Sequence, residues 1–364
     1  MKIIYIAETS LTNKSAYSHH VIKMCDAFVQ LQNNLTLLIP KVQKNFFFKK
    51  LRKKYLLNGE KNFTIKSVLD HKLRNFIFRI IFSLKVIRYI KKEKPDLILT
   101  RSIVSSFFLS LFKINHFLEI HSEMTSITNF LMINLNFINS KYIIKIILIS
   151  KALNKIYRIK KDKILILHDG VDIKNFFFKK PNIKIKNATY IGSFYKGRGI
   201  DLITKLANKF KKINFNLYGQ QKNFKKLRLK NIKIFKHIDY QKVPKILSKA
   251  DLLLMPYENQ VFIRHKNINT ANYCSPLKMF DYLAAGRVIL SSKLAGICEV
   301  LKHNNNAIVI NKYDPQTWIE EINHLLKNKY NLKKIRINSI KTAKNYQWKT
   351  RAEKILKANV SLNN

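Results

Sequence analysis

Short apolar runs alternate with segments of helical periodicity along the whole chain. The first run covers 2–7, and after a polar loop it is followed by a predicted helix over 19–31, where Val21, Met24 and Phe28 recur at helical spacing. Further runs typical of buried strands lie at 35–40, 95–102, 117–123, 146–153, 164–172, 189–192, 213–219, 232–235 and 251–257. Continuous apolar strands that alternate with helices are typical of a parallel sheet covered on both faces, so the pattern predicts an α/β fold.

The chain is long enough to form two domains of ordinary size. It has 364 residues, of which 47% are hydrophobic, and this composition argues against disorder. Segment 176–186 mixes lysines, aromatic residues and Pro181 without clear periodicity, as linkers do. We therefore predict a first domain over 1–178 and a second domain over 179–340.

The clearest local signal is a helix that begins at a Ser-Pro pair and ends at a glycine. Ser275 suits the N-cap, Pro276 suits the first helical position, and Gly286 suits the left-handed residue after the last turn. Lys278 and Asp281 are three residues apart, so they project from one face near the positive end of the helix dipole. The first-turn N–H groups and the Lys278 ammonium would bind phosphate oxygens, and Asp281 would accept hydrogen bonds from a ribose diol. An ordinary capped helix is the alternative that this spacing leaves open.

A second phosphate-binding pattern lies at 192–199, where a strand leads into the loop GSFYKGRG. Its three glycines allow the backbone to approach a phosphate closely, and Lys196 and Arg198 supply positive charge. Such a loop is weak evidence alone. Because the loop and the later helix both follow strands, they would converge at the carboxyl edge of one parallel sheet.

These segments resemble the group 1 (family 4) GT-B glycosyltransferases, in which two Rossmann-like domains face each other across a cleft. The resemblance is carried, in the order of that family, by HDGVD at 168–172, GSFYKGRG at 192–199, SPLKMFDYLAAG at 275–286 and the Trp-containing segment 345–356. It implies transfer of a sugar from a nucleotide-sugar donor to a cell-surface glycan or lipid-linked acceptor, as in polysaccharide or lipopolysaccharide biosynthesis. It further implies retention of anomeric configuration, no metal or other cofactor, and a C-terminal helix within 341–364 that returns to the first domain.

The resemblance also assigns roles to individual residues. It implies that the donor diphosphate is bound by Gly192, Lys196, Arg198, Ser275, Pro276, Leu277 and Lys278, and the ribose by Asp281. His121 matches a histidine that lines the donor-sugar pocket, and with Lys278 it is a candidate catalytic residue. A structural histidine at a strand end is the alternative. The first acid of the family would stand at Tyr273, which is not a carboxylate, so a non-catalytic homologue is a further hypothesis.

The charge of the chain is strongly positive, with a formal net charge of +48 from 69 Lys and Arg against 21 Asp and Glu. Most of these cations are lysines spread through every segment, so no specific nucleic-acid binding is expected, although general polyanion binding stays open as an alternative. Segments 44–55 and 76–90 combine basic, aromatic and apolar residues. They predict either contact with an anionic membrane or helices packed on the sheet.

Three further features bear on location. Cys25, Cys274 and Cys298 lack metal-ligand spacing, which predicts no zinc site and a reducing compartment. The first strand begins at residue 2, which leaves no room for a signal peptide, and every apolar tract is too short or too charged to span a bilayer. A cytoplasmic protein is the resulting expectation, and contact with the inner face of the membrane stays open.

Overall fold

A computed structural model describes most of the chain, in nine stretches: 1–11, 15–42, 47–59, 62–70, 75–157, 159–177, 185–219, 229–263 and 266–361. The described chain forms two compact units. The first contains Met1–Ile149, Leu153–His168 and Trp348–Asn364, and the second contains Ser150–Ala152 and Asp169–Gln347. The boundary predicted between 178 and 179 falls outside the described residues.

The first unit contains seven strands: β1 Lys2–Ile6, β2 Asn34–Ile39, β3 Phe63–Ser67, β4 Leu97–Thr100, β5 His116–Ile120, β6 Ile143–Leu148 and β7 Ile164–Ile166. The second contains β8 Asn187–Ile191, β9 Asn214–Tyr218, β10 Ile232–Phe235, β11 Leu252–Met255, β12 Phe262–Ile263, β13 Lys266–Asn269, β14 Val288–Ser292 and β15 Ile308–Ile310.

The α-helices are α1 Ala16–Gln30, α2 Phe48–Tyr55, α3 Phe76–Glu93, α4 Ile103–Leu111, α5 Ser126–Asn129, α6 Lys151–Asn154, α7 Ile200–Lys209, α8 Val243–Leu247, α9 Leu277–Ala285, α10 Ala295–Cys298, α11 Pro315–Leu326, α12 Leu332–Lys344 and α13 Trp348–Val360. Short 3₁₀ turns cover Phe137–Asn139, Lys161–Lys163, Ile173–Asn175 and Tyr240–Lys242, and a π-helical turn covers Phe130–Asn134.

Each unit is a parallel sheet with helical crossovers, so the predicted α/β class with two Rossmann-like domains is confirmed. The first sheet has the order β3-β2-β1-β4-β5-β6-β7, and the second has the order β10-β9-β8-β11-β14-β15. In both sheets the strand order reverses beside the first strand of the unit, between β1 and β4 and between β8 and β11. Open α/β sheets bind ligands outside the carboxyl ends of the strands at such reversals.

The second sheet is buried on both faces because successive side chains of its central strand point in opposite directions. Leu252 and Leu254 pack with α7 and α11, whereas Leu253 and Met255 pack with the helices on the other face. This two-sided burial explains why β11 is a continuous apolar run in the sequence. It fixes the register of the strand and hence the position of the loop that follows it.

Helix α9 begins one residue later than the sequence predicted. Pro276 has extended backbone angles, φ −75° and ψ 132°, and is itself the N-cap, while the helix begins at Leu277. The prediction of Ser275 as N-cap and Pro276 as first helical residue was therefore wrong. The reason is local. Because Pro276 has an extended backbone, the Ser275 side chain lies one residue before the N-cap position and cannot cap the first turn. The end at Gly286 is confirmed, with φ 61° and ψ 33°.

The last helix, α13, packs on α1 in the first unit. Trp348 at its start is 1% exposed and contacts the His20 ring edge-on, with ring centroids 5.1 Å apart. No helix in the described part of the chain is long and apolar enough to cross a membrane.

Candidate nucleotide-binding site

The candidate site lies in the second unit, at the point where its strand order reverses. Gly192 follows β8, Tyr257 follows β11, and the N-terminus of α9 comes before β14. Because the carboxyl ends of parallel strands meet at one edge of a sheet, these segments lie together. The glycine-rich loop and α9 therefore converge, as their position after strands predicted.

Lys278 lies on the first turn of α9 with its charged end turned into protein. Its Nζ is buried without a hydrogen-bond partner among the described residues. It lies 3.9 Å from the ring centroid of Tyr190 and 5.2 Å from that of Tyr257, which is the range of cation–π contacts. Burial, and then the nearby positive charge of Arg198, lowers the pKa of Lys278 well below its usual value. An anion placed here would relieve both effects.

Arg198 is the second cation of the site. Its guanidinium carbon lies 5.1 Å from the Tyr257 ring centroid, and its Nε is buried without a hydrogen-bond partner among the described residues. The next residue, Gly199, has φ 70° and is the N-cap of α7. A Cβ there would lie 1.9 Å from the carbonyl oxygen of Pro256, so only glycine allows this approach of the loop to the end of β11.

Gly192 leaves open the space between β8 and the lysine. A Cβ at this position would lie 2.7 Å from Nζ of Lys278 and 2.9 Å from Oη of Tyr190. The Tyr190 hydroxyl donates a hydrogen bond to the carbonyl of Ser193 at 2.7 Å, and this bond holds the ring next to the lysine. The predicted residues Gly192, Arg198 and Lys278 are thus brought together by the fold.

The remaining predicted residues occupy different surroundings. Lys196 is exposed, Ser275 is buried, and Pro276 and Leu277 are half-buried at the start of α9. Asp281 accepts a hydrogen bond at 2.9 Å from the Tyr240 hydroxyl, and this contact raises the pKa of Tyr240 after the larger effect of burial. The carboxylate of Asp281 is therefore oriented toward the loop that follows β10.

Tyr273, at the position of the first acid in the resembling family, is fully buried. Its carbonyl oxygen accepts a hydrogen bond from the Ser150 hydroxyl at 2.9 Å. A Cβ on Gly296 would lie 2.9 Å from the same carbonyl, so backbone packs tightly there. The tyrosine is a packing residue at this position.

His121 lies in the first unit, directly after β5. Its Nε2 lies 2.8 Å from Oε1 of Glu119, and its side chain is 17% exposed. Burial, then the charge of Arg101 and His20, lowers the pKa of His121 to about 3. It is therefore a neutral imidazole near pH 7, and its catalytic role stays a prediction.

Sequence reasoning did not find the aromatic residues of the site. Tyr190 and Tyr257 form the walls around the two cations, and Tyr240 binds Asp281. No spacing signal in the sequence marks them, because each belongs to a different strand end or loop. A tyrosine next to the carboxyl end of a central parallel strand is the one feature that could have indicated two of them.

A comparison with known protein families matches the part of the chain that contains the candidate site. Residues 185–328 match the family model described as "Glycosyl transferases group 1". An uncharacterized glycosyltransferase of Methanocaldococcus jannaschii is 22% identical over 212 residues, which cover 56% of this chain and 56% of that protein. The chain thus matches little more than half the length of this curated relative.

Solved structures share the fold over the full length. A glycosyltransferase from Rickettsia africae is 13% identical with a TM-score of 0.76, covering 99% of this chain and 98% of its own. Anabaena HepE, solved with UDP-glucose, is 14% identical with a TM-score of 0.72, covering 99% of this chain and 100% of its own. The lipopolysaccharide outer core galactosyltransferase WaaB is 13% identical with a TM-score of 0.71, covering 100% of both chains. The chain therefore matches the group 1 glycosyltransferase model over 185–328 and shares the fold of these glycosyltransferases over nearly its whole length.

Proposed function

We propose that the protein transfers a sugar from a nucleotide-diphosphate sugar to a glycan or lipid-linked acceptor, with retention of configuration and without a metal ion. The observation that carries this proposal is the pair of buried cations, Lys278 and Arg198, which have no carboxylate partner among the described residues. Two unpaired buried charges of one sign are costly in a ligand-free protein. A diphosphate would neutralise both.

The proposed chemistry follows from where these charges lie. As the bond between the sugar and the diphosphate breaks, negative charge grows on the leaving phosphate. Lys278 and Arg198, together with the N-terminal amides of α9, would stabilise that charge, and the site is preorganised because aromatic rings already hold both cations. The same charges would do the electrostatic work that a divalent ion does in other transferases.

Asp281 is the proposed ribose ligand. Its carboxylate lies one turn deeper in α9 than Lys278 and is held by Tyr240 on its Oδ1 atom. A ribose diol would donate to the remaining lone pairs of this carboxylate. Since HepE was solved with UDP-glucose, uridine nucleotides come first among the donors to test.

The test is thermal stabilisation by a panel of UDP, GDP, ADP and CMP with their sugars. A nucleotide that binds only the native state at about 100 times its dissociation constant contributes roughly 2.7 kcal/mol. We expect one base to stabilise wild type, Lys205→Ala to behave like wild type because Lys205 is an exposed residue of α7, and Lys278→Ala to lose the effect. No stabilisation of folded wild type by any nucleotide contradicts the proposal.

Retention and metal independence have their own assay. Product from the active donor is analysed for anomeric configuration by NMR, with and without a chelator. A product of inverted configuration, or loss of transfer in the chelator that a divalent ion restores, contradicts that part of the proposal.

A non-catalytic homologue is the second candidate function. It is favoured by the burial of Tyr273 where the family would place an acid. Base-selective nucleotide binding that depends on Lys278, without hydrolysis or transfer of any sugar, would establish it.

We further propose that the first unit contacts anionic lipid on the cytoplasmic side of a membrane. Helix α3 exposes Ile77, Ile81 and Leu84 together with Lys85 and Arg88, and an apolar strip flanked by cations suits such a surface. The experiment is flotation with vesicles of phosphatidylglycerol or of phosphatidylcholine. Binding to the anionic vesicles that Ile81→Glu weakens supports the contact, and equal recovery with both lipids contradicts it.

A further inference from the structure

The first unit contains a buried carboxylate that four side chains from separate parts of the chain contact at once. Glu119 at the end of β5 is 2% exposed. Its three hydrogen-bond donors are the Tyr5 hydroxyl at 2.7 Å, His121 Nε2 at 2.8 Å and Arg351 Nη2 at 2.6 Å. Tyr5 binds Oε2, and the other two bind Oε1, from which His20 Nε2 also lies 2.8 Å away. We name these five residues the Glu119 cluster.

Arg351 balances the charge of this carboxylate. Burial by itself would raise the pKa of Glu119, but His20, Arg351 and His121 hold it well below its usual range. The arginine is itself fixed, because its Nε donates to the carbonyl of His168 at 3.0 Å. Glu119 is therefore an ionised acceptor in a fixed position.

An ionised carboxylate only accepts hydrogen bonds, so a ring nitrogen that is hydrogen-bonded to it must carry the hydrogen. His121 faces Glu119 with Nε2, which makes it the Nε2–H tautomer. The second ring nitrogen, Nδ1, then carries a lone pair. His121 is also more exposed than its neighbours in the cluster, with a side chain 17% exposed against 2% for His20 and 3% for Arg351.

Binding of a metal ion is the alternative function for this cluster. The ligand atoms of His20, Glu119 and His121 lie within 4.8 Å of one another, the one such group in the described part of the chain. However, the guanidinium of Arg351 lies 2.6 Å from the oxygen that a metal would need. A divalent cation would have to displace a buried positive charge or lie beside it, which is unfavourable.

We propose that Glu119, paired with Arg351, is a positioning residue that fixes His121 as the Nε2–H tautomer and presents its Nδ1 as a hydrogen-bond acceptor for a sugar hydroxyl. This inference rests on the proposed transferase function. It extends that function by giving a role to three residues of the first unit, Glu119, His121 and Arg351. Arg351 belongs to α13, so the C-terminal helix contributes to the chemistry of His121 through Glu119.

The first test is ¹⁵N NMR of histidine-labelled wild type, which reports the tautomer of each ring. We expect His121 to be the neutral Nε2–H form at pH 7. His116 is a matched internal reference, because its Nδ1 lies 2.9 Å from the carbonyl of Ile114 and its Nε2 lies 2.7 Å from the Ser106 hydroxyl, which makes it the opposite tautomer. A His121 ring in the Nδ1–H form, or one that is protonated at pH 7, overturns the inference, as does one equivalent of bound metal in the purified protein.

The second test is Glu119→Gln in the full chain. We expect the His121 spectrum to change while that of His116 stays the same, and nucleotide-induced stabilisation to match wild type because that site lies in the other unit. Transfer should fall about tenfold, the effect of one hydrogen bond to a polar group. If the tautomer changes and transfer keeps its wild-type rate, the inference is overturned and the proposed function stands.

Should Glu119→Gln fail to fold, the wild-type spectra and Arg351→Lys decide the matter. Lysine keeps the charge but not the guanidinium's bonds to the His168 and Leu167 carbonyls, so His121 should remain the Nε2–H form with transfer reduced by less than about tenfold. If wild type transfers no sugar from any donor, the proposed function fails, and the spectra still decide whether Glu119 sets the tautomer.

Discussion

Replacing Lys278 with methionine should stabilise the ligand-free protein and remove its nucleotide binding. The Nζ atom is buried without a hydrogen-bond partner among the described residues and lies near the Arg198 charge. Methionine has a side chain of similar length without the charge. A buried polar group without a partner costs about 1–3 kcal/mol. The cation–π contacts of Lys278 with the two tyrosine rings offset about 0.5–1 kcal/mol of this cost. We therefore expect Lys278→Met to raise the free energy of unfolding by about 1–2 kcal/mol.

The effect should depend on pH with a definite sign. Burial and then the Arg198 charge lower the pKa of Lys278 in the folded state. Between that lowered pKa and about 10.4 the unfolded chain binds a proton that the folded chain lacks, so the stability of wild type rises with pH across this interval. Below the interval Lys278 is protonated in both states, so the folded protein bears the full cost of burying its charge. The advantage of Lys278→Met should be largest there and should shrink as the pH rises.

The assay is urea denaturation at several pH values, with and without the nucleotide that binds wild type. Lys205→Met is the matched control, because this lysine is exposed on α7 of the same unit. It should change the free energy of unfolding by less than about 0.5 kcal/mol. A Lys278→Met protein that is less stable than wild type, or that is still stabilised by the nucleotide, would refute the reasoning.

Four further outcomes are expected. Nucleotide binding should take up protons at pH values near the lowered pKa of Lys278, because a bound phosphate raises that pKa again. Calorimetry in buffers of different ionisation enthalpy would then give different heats, and equal heats contradict this. Arg351→Met should cost about 3–5 kcal/mol in urea denaturation because it leaves a buried carboxylate without its partner, whereas Lys354→Met, on an exposed position of α13, should cost little. Burial lowers the pKa of His116 to about 4, below its unfolded value of about 6.5, so stability should fall as the pH drops through this interval by up to about 1.4 kcal/mol per pH unit; a His116→Gln protein with the same slope would contradict this. Gly199→Ala should lower stability by more than about 1 kcal/mol, since its Cβ would meet the Pro256 carbonyl oxygen at 1.9 Å; an unchanged melting temperature would show that the loop can move.

Much of the fold could be predicted from local patterns. Apolar strands followed by helices indicated two parallel sheets, because a strand buried on both faces leaves a continuous apolar run in the sequence. The end of α9 at Gly286 was equally readable, since a left-handed residue after a helix strongly favours glycine. The start was misplaced by one residue, because a Ser-Pro pair fits two neighbouring registers and only the extended backbone of Pro276 distinguishes them.

The sequence by itself also determined the cations of the candidate site, since Lys278 and Arg198 both follow strands and so belong at one sheet edge. Only the tertiary structure decided what surrounds them. Strand register places Tyr190 under the lysine, and the end of β11 brings Tyr257 against both cations. The two charges lack a carboxylate partner because the fold surrounds them with tyrosine rings, and the sequence positions of Lys278 and Arg198 do not show this.

The Glu119 cluster depended on tertiary structure to an even greater degree. Glu119 and Arg351, for example, are 232 positions apart along the chain. No local propensity relates residues so far apart, because their contact follows from the packing of α13 on α1 and from the position of β5 in the sheet. Local chemistry could therefore be read from the sequence, whereas the pairing of distant charges was set by how the helices and strands pack.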